Sequence, residues 1–210
     1  MTKSETVYNY LNELYPDAHC ELNFRNIYQL TISVILSAQT TDISVNKVTP
    51  RLFKQYPSFK VLARAKIKDV ELLLKQLGLY KIKAARIIEV AQIIEKEHKG
   101  IVPQDLETLT NIKGIGRKTA SVIMIEGYNL SAFPVDTHIN RISLRLGIAK
   151  STDSVYQVEL KLRKFFKDYD YRKLHHQLIA FGRYSCMARN PNCGSCELKS
   201  ICKYYKKVPI

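Results

Sequence analysis

Lys118 lies directly behind a two-glycine step. Residues 109–125 read LTNIKGIGRKTASVIMI, and the lysine comes two positions after Gly116. Apolar spacing predicts a short helix before Gly114 and a buried helix after Gly116. Glycines allow positive φ and leave backbone N–H groups uncovered, and a helix N-terminus adds free N–H groups and partial positive charge. The segment is typical of a helix–hairpin–helix that binds a nucleic-acid backbone, although a plain turn with a solvated lysine has the same pattern.

Four of the five cysteines fall in one short stretch with the spacing C-x6-C-x2-C-x5-C: Cys186, Cys193, Cys196 and Cys202. Because we recognise no signal peptide and no apolar run of membrane-spanning length, we expect a reducing cytoplasm, where clustered thiolates usually bind metal. Pro191 and Gly194 supply turns for such a loop. Structural zinc usually shows two close cysteine pairs, whereas iron–sulfur clusters tolerate irregular spacing, so the spacing leaves the metal open. Cys20 stands alone, and we expect it to be a small buried apolar residue.

Asp136 precedes an apolar stripe of helical spacing that Gly147 closes as a C-terminal stop. Aspartate is among the best N-capping residues, so the simplest interpretation is that Asp136 begins a helix. A carboxylate held by helix N–H groups also stays ionised and fixed in direction. An N-cap and a catalytic carboxylate are therefore compatible interpretations of the same residue.

The charge balance of the chain is strongly basic. Thirty-three Lys and Arg against nineteen Asp and Glu give a formal net charge of +14. An excess of this size commonly marks an anionic partner, with nucleic acid ahead of a membrane surface. The basic residues are spread over several stretches rather than one tail, which indicates a folded surface with several phosphate contacts: 47–51, 60–68, 81–86, 113–118 and 199–207.

The candidate site residues must be positioned by helices, because the sequence has no stretch of alternating apolar and polar residues, bounded by turn residues, of the kind that predicts a β-strand. Pro50 interrupts a further helical stretch at 42–56, which predicts a kink or a restart there. His175 and His176 lie among apolar neighbours, so we expect structural roles for them. Apolar residues recur at helical spacing in six stretches: 4–15, 27–38, 67–77, 80–98, 153–167 and 171–184. The pattern predicts an all-α protein.

Five segments together resemble the endonuclease III family, bifunctional DNA glycosylases and abasic-site lyases of the helix–hairpin–helix superfamily. They are LSAQTTD (36–42), GLY (78–80), GIGRKTA (114–120), VDTH (135–138) and the four-cysteine loop. The resemblance implies a helix–hairpin–helix DNA glycosylase fold with two helical domains and a C-terminal [4Fe–4S] cluster loop at 186–202. It implies a six-helix domain at 22–131, with the hairpin at about 106–128, and a second domain from 1–21 plus 132–210.

The resemblance also implies roles for individual residues. Lys118 matches the nucleophilic lysine and Asp136 the essential aspartate, while the four cysteines match the cluster ligands. Gln39 and Leu79 match residues that enter the gap left by an extruded base. The remaining expected DNA contacts are Gly114, Ile115, Gly116, Arg117 and His138.

The implied activity is removal of oxidised pyrimidines that are rotated out of double-stranded DNA, followed by strand cleavage through a lysine Schiff base. The implied partner is DNA with damaged bases or abasic sites, and we expect a monomer with no membrane association in a bacterial-type cytoplasm at the nucleoid. The expected role of the cluster is folding and DNA docking, assisted by nearby Lys199, Lys203, Lys206 and Lys207.

One position departs from the family pattern, and three alternatives stay open. The family commonly has proline before the first hairpin glycine, whereas this chain has Lys113, which adds a charge where phosphate is expected. A mismatch adenine glycosylase shares the fold, the aspartate and the cluster, but it usually lacks the lysine at position 118. A second alternative is a superfamily member that acts on other lesions, such as alkylated purines. The hairpin is consistent with such an enzyme, but the lysine at position 118 is less so. A non-catalytic DNA-binding module would use Lys118 as a phosphate contact and Asp136 as a cap.

Overall fold

The computed structural model describes residues 1–207, which contain eleven α-helices and no β-strand. A π-helical turn, Ile123–Gly127, continues α8, and two 3-10 turns follow α11 at Glu197–Ile201 and Tyr205–Lys207. The α-helices are α1 (Lys3–Leu14), α2 (Ile27–Leu36), α3 (Asp42–Gln55), α4 (Phe59–Leu62), α5 (Ile67–Leu74), α6 (Tyr80–His98), α7 (Leu106–Asn111), α8 (Arg117–Val122), α9 (Thr137–Leu146), α10 (Val155–Phe165) and α11 (Tyr171–Tyr184).

Most of these helices begin at a residue whose side chain accepts a hydrogen bond from the first turn, which satisfies an otherwise free N–H group. Eight of the eleven helices in residues 1–207 have such a cap. The three that lack one are α5, α6 and α8. Two of these three, α6 and α8, have as their N-cap residues Leu79 and Gly116, positions expected to contact DNA.

The chain forms two compact units, and the first comprises Glu21–Leu130 with helices α2 to α8. Its core surrounds α2, which is mostly apolar and has eight of its ten residues buried. The long helix α6 packs against α2, α4 and α5. Gly127, in the π-helical turn after α8, lies against α2, because a Cβ there would come within 2.3 Å of Ile27 Cδ1.

The second unit combines both chain ends, Met1–Cys20 and Ser131–Ile210. In it α11 packs against α1 and α9, and α10 packs against α9. Phe133 and Phe166 are fully buried and stack with ring centroids 6.3 Å apart. The apolar stripe of α9, including Ile139 and Ile142, faces this core, so α9 holds its N-terminal residue on a fixed support.

The predicted all-α class is confirmed, and the helical stretches read from the sequence are helices in the structure. Pro50 does not restart the helix: α3 continues through it, and Pro50 is exposed, where loss of one backbone N–H is tolerated. The single-turn helix α4 was not predicted, since four residues are too short to show a period. Within residues 1–207 no helix combines the length and apolarity needed to span a membrane.

Candidate functional site

The hairpin between α7 and α8 uses its two glycines differently. Gly114 has φ +107°, and a Cβ there would lie 2.3 Å from Arg86 Cδ and 3.1 Å from Val90 Cγ2 of α6. Only glycine fits both this backbone conformation and this close packing. The first glycine therefore fixes the hairpin against α6.

Gly116 has an ordinary φ of −81°, is exposed, and a Cβ added there would meet nothing within 4 Å. It precedes α8 and provides no side-chain cap, so the N–H groups of the first turn have no acceptor within the helix. This surface has the free donors and the open space that an approaching phosphate needs. The sequence prediction of positive φ thus holds for Gly114 and not for Gly116.

Ile115, between the glycines, is buried, and its N–H donates to Ile112 O at 2.9 Å. Neither its side chain nor its N–H is available to a ligand in this conformation. Its place in the hairpin is therefore that of a packing residue.

Lys118 is exposed on the first turn of α8, in the same contiguous surface segment as Gly116 and Arg117. The nearby Lys113 differs from expectation: its Nζ lies 2.6 Å from Glu89 Oε1 of α6. Lys113, which stands where the family commonly has proline, is therefore paired with Glu89 within the protein. An exposed pair of this kind contributes little stability.

Gln39 and Leu79, expected at the gap left by an extruded base, share an unusual backbone conformation. Gln39 has φ 53° and Leu79 has φ 59°, both in the left-handed region that non-glycine residues rarely adopt. Both are exposed, Leu79 to 55% although it is a large apolar residue. Strained, exposed residues of this kind concentrate at ligand-binding sites.

Asp136 is the N-cap of α9, where its Oδ1 accepts a hydrogen bond from Ile139 N at 2.8 Å. The helix ends, as predicted, at Gly147, whose φ is 72°. The residue is half-buried. The hydrogen bond from Ile139 N fixes Oδ1 of the carboxylate against the helix. The capping role is therefore established, and it leaves the second oxygen to act elsewhere.

His138 lies on the same first turn of α9 and is held from two sides. A Cβ on Gly182 of α11 would lie 2.7 Å from His138 Cβ, so only glycine allows this approach. Arg141 Nη2 lies 3.3 Å from His138 Nδ1 and donates to Gly182 O at 2.7 Å. His138 is therefore a fixed ring beside Asp136. Elsewhere in this unit, His175 is buried with Nδ1 3.1 Å from Pro134 O, which fits the structural role expected of it.

The four clustered cysteines line one pocket, as their spacing predicted: Cys186, Cys193, Cys196 and Cys202. Gly194 lies in a turn, and Cys193 N donates to Pro191 O at 2.7 Å, which folds the loop back on itself. Burial raises the pKa of the Cys186 and Cys196 thiols, although hydrogen bonds from Arg145 and Leu198 oppose it. Bound metal would favour the thiolate forms. Four converging soft ligands thus fit a cluster, whereas Cys20 is half-buried and does not line this pocket.

Arg145 is a site residue that the sequence analysis missed. It is 9% exposed in the last turn of α9 and donates to Cys186 O, Met187 O and Ala188 O at 3.2, 2.6 and 3.1 Å. Its Nη1 also lies 3.2 Å from Cys186 Sγ, and its guanidinium stacks on Tyr204. The sequence shows only that Arg141 and Arg145 lie one turn apart on a predicted amphipathic helix, and it does not show that the carbonyls of the cysteine loop lie opposite them.

Comparison with protein families identifies both regions. The HhH-GPD superfamily base excision DNA repair protein model matches residues 32–168, which include the hairpin and Asp136. The iron–sulfur binding domain of endonuclease III matches residues 186–202, which bear the four cysteines. The cofactor is therefore a [4Fe–4S] cluster, and the choice that the spacing left open is resolved.

Relatives and solved structures agree with this over the whole chain. The endonuclease III of Bacillus subtilis (strain 168) is 39% identical over 197 residues, covering 94% of this chain and 90% of the relative. That of Escherichia coli (strain K12) is 40% identical over 200 residues, covering 95% and 94%. The structure of a trapped endonuclease III–DNA covalent intermediate, an estranged-adenine complex, superposes with a TM-score of 0.88 at 39% identity, covering 99% of each chain. The chain therefore belongs to the endonuclease III family of base excision DNA glycosylases with abasic-site lyase activity.

Proposed function

We propose that Lys118 is the nucleophile of this glycosylase and lyase. Its amine would attack C1′ of the extruded nucleotide, so that a C–N bond forms to the lysine while the bond from C1′ to the base breaks. Opening of the sugar ring then breaks the C1′–O4′ bond, O4′ takes up a proton, and C1′ becomes the carbon of a Schiff base. Loss of a proton from C2′ of this Schiff base drives β-elimination, which breaks the C3′–O bond on the 3′ side. The exposure of Lys118 on the uncapped first turn of α8, behind the open Gly116, supports this assignment.

Asp136 is the second catalytic group in this proposal. Departure of the base leaves positive charge on the sugar, and a carboxylate in a fixed direction stabilises such charge. The hydrogen bond from Ile139 N fixes the direction of the Asp136 carboxylate. The same carboxylate would assist deprotonation of the lysine, since an ordinary lysine amine is almost fully protonated near pH 7.

The proposed partner is double-stranded DNA that contains an oxidised pyrimidine or an abasic site. The backbone N–H groups around Gly116 and Arg117 would bind phosphate, with Gly114 and the buried Ile115 shaping the hairpin. Damage lowers the cost of rotating a nucleotide out of the stack, which supplies part of the selectivity. Gln39 and Leu79 would fill the gap, and His138 would contact DNA beside Asp136.

The four cysteines would ligate the [4Fe–4S] cluster and thereby stabilise the C-terminal loop. Lys199, Lys203 and Lys206 add positive charge to that loop for DNA docking. The side chain of Lys207, proposed to act with them, lies outside the described residues. When bound, the cluster supplies folding free energy rather than bond-breaking chemistry. We propose a monomer acting at the nucleoid of a bacterial-type cytoplasm.

Borohydride trapping tests the central proposal. Protein is mixed with duplex DNA containing one abasic site and reduced, and the cross-linked peptide is sequenced by mass spectrometry. We expect a covalent adduct on Lys118, since reduction makes the Schiff base permanent. Binding without an adduct would identify a non-catalytic DNA-binding module. An adduct on another lysine would show that this other lysine is the nucleophile.

A further inference from the structure

A buried lysine lies close to Gln39 and Leu79, two of the exposed left-handed residues of the Glu21–Leu130 unit. Lys83, in the first turn of α6, is only 5% exposed. Its burial lowers the pKa of its ammonium group, and the positive end of the helix dipole is also unfavourable for a cation there. No carboxylate within residues 1–207 forms an ion pair with it. A methionine of similar length would avoid these costs, so the charge at this position requires an explanation.

The contacts of Lys83 supply one. Its ammonium donates a hydrogen bond to Thr40 Oγ1, in the loop between α2 and α3. Its backbone N–H donates to Leu79 O at 3.0 Å, four residues earlier. Any residue at position 83 would make this backbone bond, so the ammonium adds only the bond to Thr40. Because Thr40 directly follows Gln39, that bond ties the Gln39 loop to the first turn of α6, which begins directly after Leu79.

Gln39 and Leu79 need such support because their conformations are strained. Both lie in the left-handed region without being glycine, and such residues persist only where their surroundings enforce the conformation. The loop around Gln39 is short, and Thr40 N donates to Ser37 O at 3.0 Å, so holding Thr40 also fixes its neighbour. A hydrogen bond from a cation is shorter and stronger than a neutral one.

We propose that Lys83 is a positioning residue that sets the Gln39 loop and the Leu79 turn at a fixed spacing, so that both side chains enter the gap in the duplex together. The inference rests on the proposed gap-filling function of these two residues. It assigns Lys83 no contact with the reacting sugar. Its effect is therefore confined to substrates in which a gap must be filled.

The test compares Lys83→Met with the wild-type protein in two single-turnover reactions. One is excision of an oxidised pyrimidine from duplex DNA, and the other is lyase cleavage of a single-stranded abasic oligonucleotide, which has no gap. We expect the duplex rate to fall by about 10- to 100-fold, the range for misplaced substrate-positioning groups, with the single-strand rate unchanged. Lys96→Met, an exposed lysine in the last turn of α6, is the matched control and should leave both rates unchanged.

Thr40→Val provides a second route if Lys83→Met folds poorly. Valine keeps the shape of threonine and removes the acceptor, so this variant should reproduce most of the loss. The double variant should be no slower than the worse single variant, because both remove the same contact. 2-Aminopurine opposite the lesion should report insertion by its fluorescence change, and that change should diminish in both variants.

The inference would be overturned if Lys83→Met and Thr40→Val both excised from duplex DNA at the wild-type rate. It would also be overturned if Lys83→Met slowed duplex excision and single-strand cleavage equally, because that result would place Lys83 at the reacting centre. Gln39→Ala and Leu79→Ala separate this failure from failure of the proposed function. If those two variants excise normally from duplex DNA, the gap-filling assignment itself is wrong. If they are slow while Lys83→Met is normal, only the positioning role fails.

Discussion

Lys118 is exposed on the first turn of α8, so its substitution should alter chemistry without disturbing a core. Glutamine keeps polarity and approximate length but has no nucleophilic amine. For Lys118→Gln we expect borohydride trapping to vanish, while affinity for damaged duplex DNA in a gel-shift assay stays within a few-fold. Lys113→Gln, which removes the pair with Glu89, should still be trapped. Persistent trapping of Lys118→Gln would show that a neighbouring amine is the nucleophile.

Asp136 can be tested in a way that separates capping from catalysis. Asparagine caps a helix nearly as well as aspartate, so Asp136→Asn should fold with little change in melting temperature. If the carboxylate stabilises the transition state, single-turnover excision should fall by about 100-fold or more, the loss typical of such groups. A fully active Asp136→Asn protein would leave Asp136 as a cap only.

Asp105→Asn is the matched control for that substitution. Asp105 caps α7 with the same geometry, since its Oδ1 accepts from Thr108 N at 2.8 Å. The hydrogen bond from that backbone N–H lowers the pKa of the Asp105 carboxyl. We expect this variant to excise at the wild-type rate, so a loss confined to Asp136→Asn cannot come from weaker capping.

At the scale of elements, the two glycines of the hairpin between α7 and α8 have different roles: Gly116 is expected to affect DNA binding, and Gly114 is expected to affect the stability of the fold. Gly116 has an ordinary φ and open surroundings, and aspartate is a good N-cap, so Gly116→Asp should not lower the melting temperature. Its carboxylate would repel phosphate at the N–H groups of α8, and we expect weaker binding to damaged and undamaged duplexes alike. A loss of affinity confined to the damaged site would show that the hairpin contacts the lesion and not the backbone.

Gly114→Ala should show the opposite behaviour. Its φ of +107° is unfavourable for alanine, and the added Cβ would come within 2.3 Å of Arg86 Cδ. We expect a free energy of unfolding lower by about 1–3 kcal/mol, the cost of one strained residue. Thermal or urea unfolding measures this cost. An unfolding free energy equal to that of the wild type would contradict both the backbone strain and the close contact with Arg86.

At the scale of the whole molecule, the cluster loop joins the last segment of the chain to its helical unit. Leu198 is buried in the unit's core, and Tyr204 N donates to Arg145 O at 2.9 Å. We expect Cys196→Ser to lower soluble yield and iron content, because a metal site contributes folding free energy. The fraction that folds should retain most of its trapping activity. Wild-type protein purified without oxygen should show the broad visible absorbance of an iron–sulfur cluster, and zinc alone would contradict the cofactor.

The sequence by itself determined the elements and the chemistry they bear. Helical periodicity, N-capping residues and the Gly147 stop are local features, so they predicted α9 with Asp136 at its start. The spacing of four cysteines over seventeen positions predicted one loop that gathers them in one pocket. Helix α4 was not predicted because one turn has no period. Of the two expectations for Pro50, a kink or a restart, the restart does not occur, because an exposed proline costs α3 only one backbone hydrogen bond.

The tertiary structure decided how equivalent-looking residues differ. The two hairpin glycines look alike in sequence, yet only Gly114 packs against Arg86 of α6. Helix α6 lies beside Gly114, whereas a Cβ at Gly116 would meet nothing within 4 Å. Two cations on helices, Arg145 and Lys83, became buried because distant loops bring acceptors to them, at Cys186 and at Thr40. Local patterns report which face of a helix is apolar, and they contain no information on which distant backbone or hydroxyl lies opposite a polar residue. That information arises only when the chain has folded.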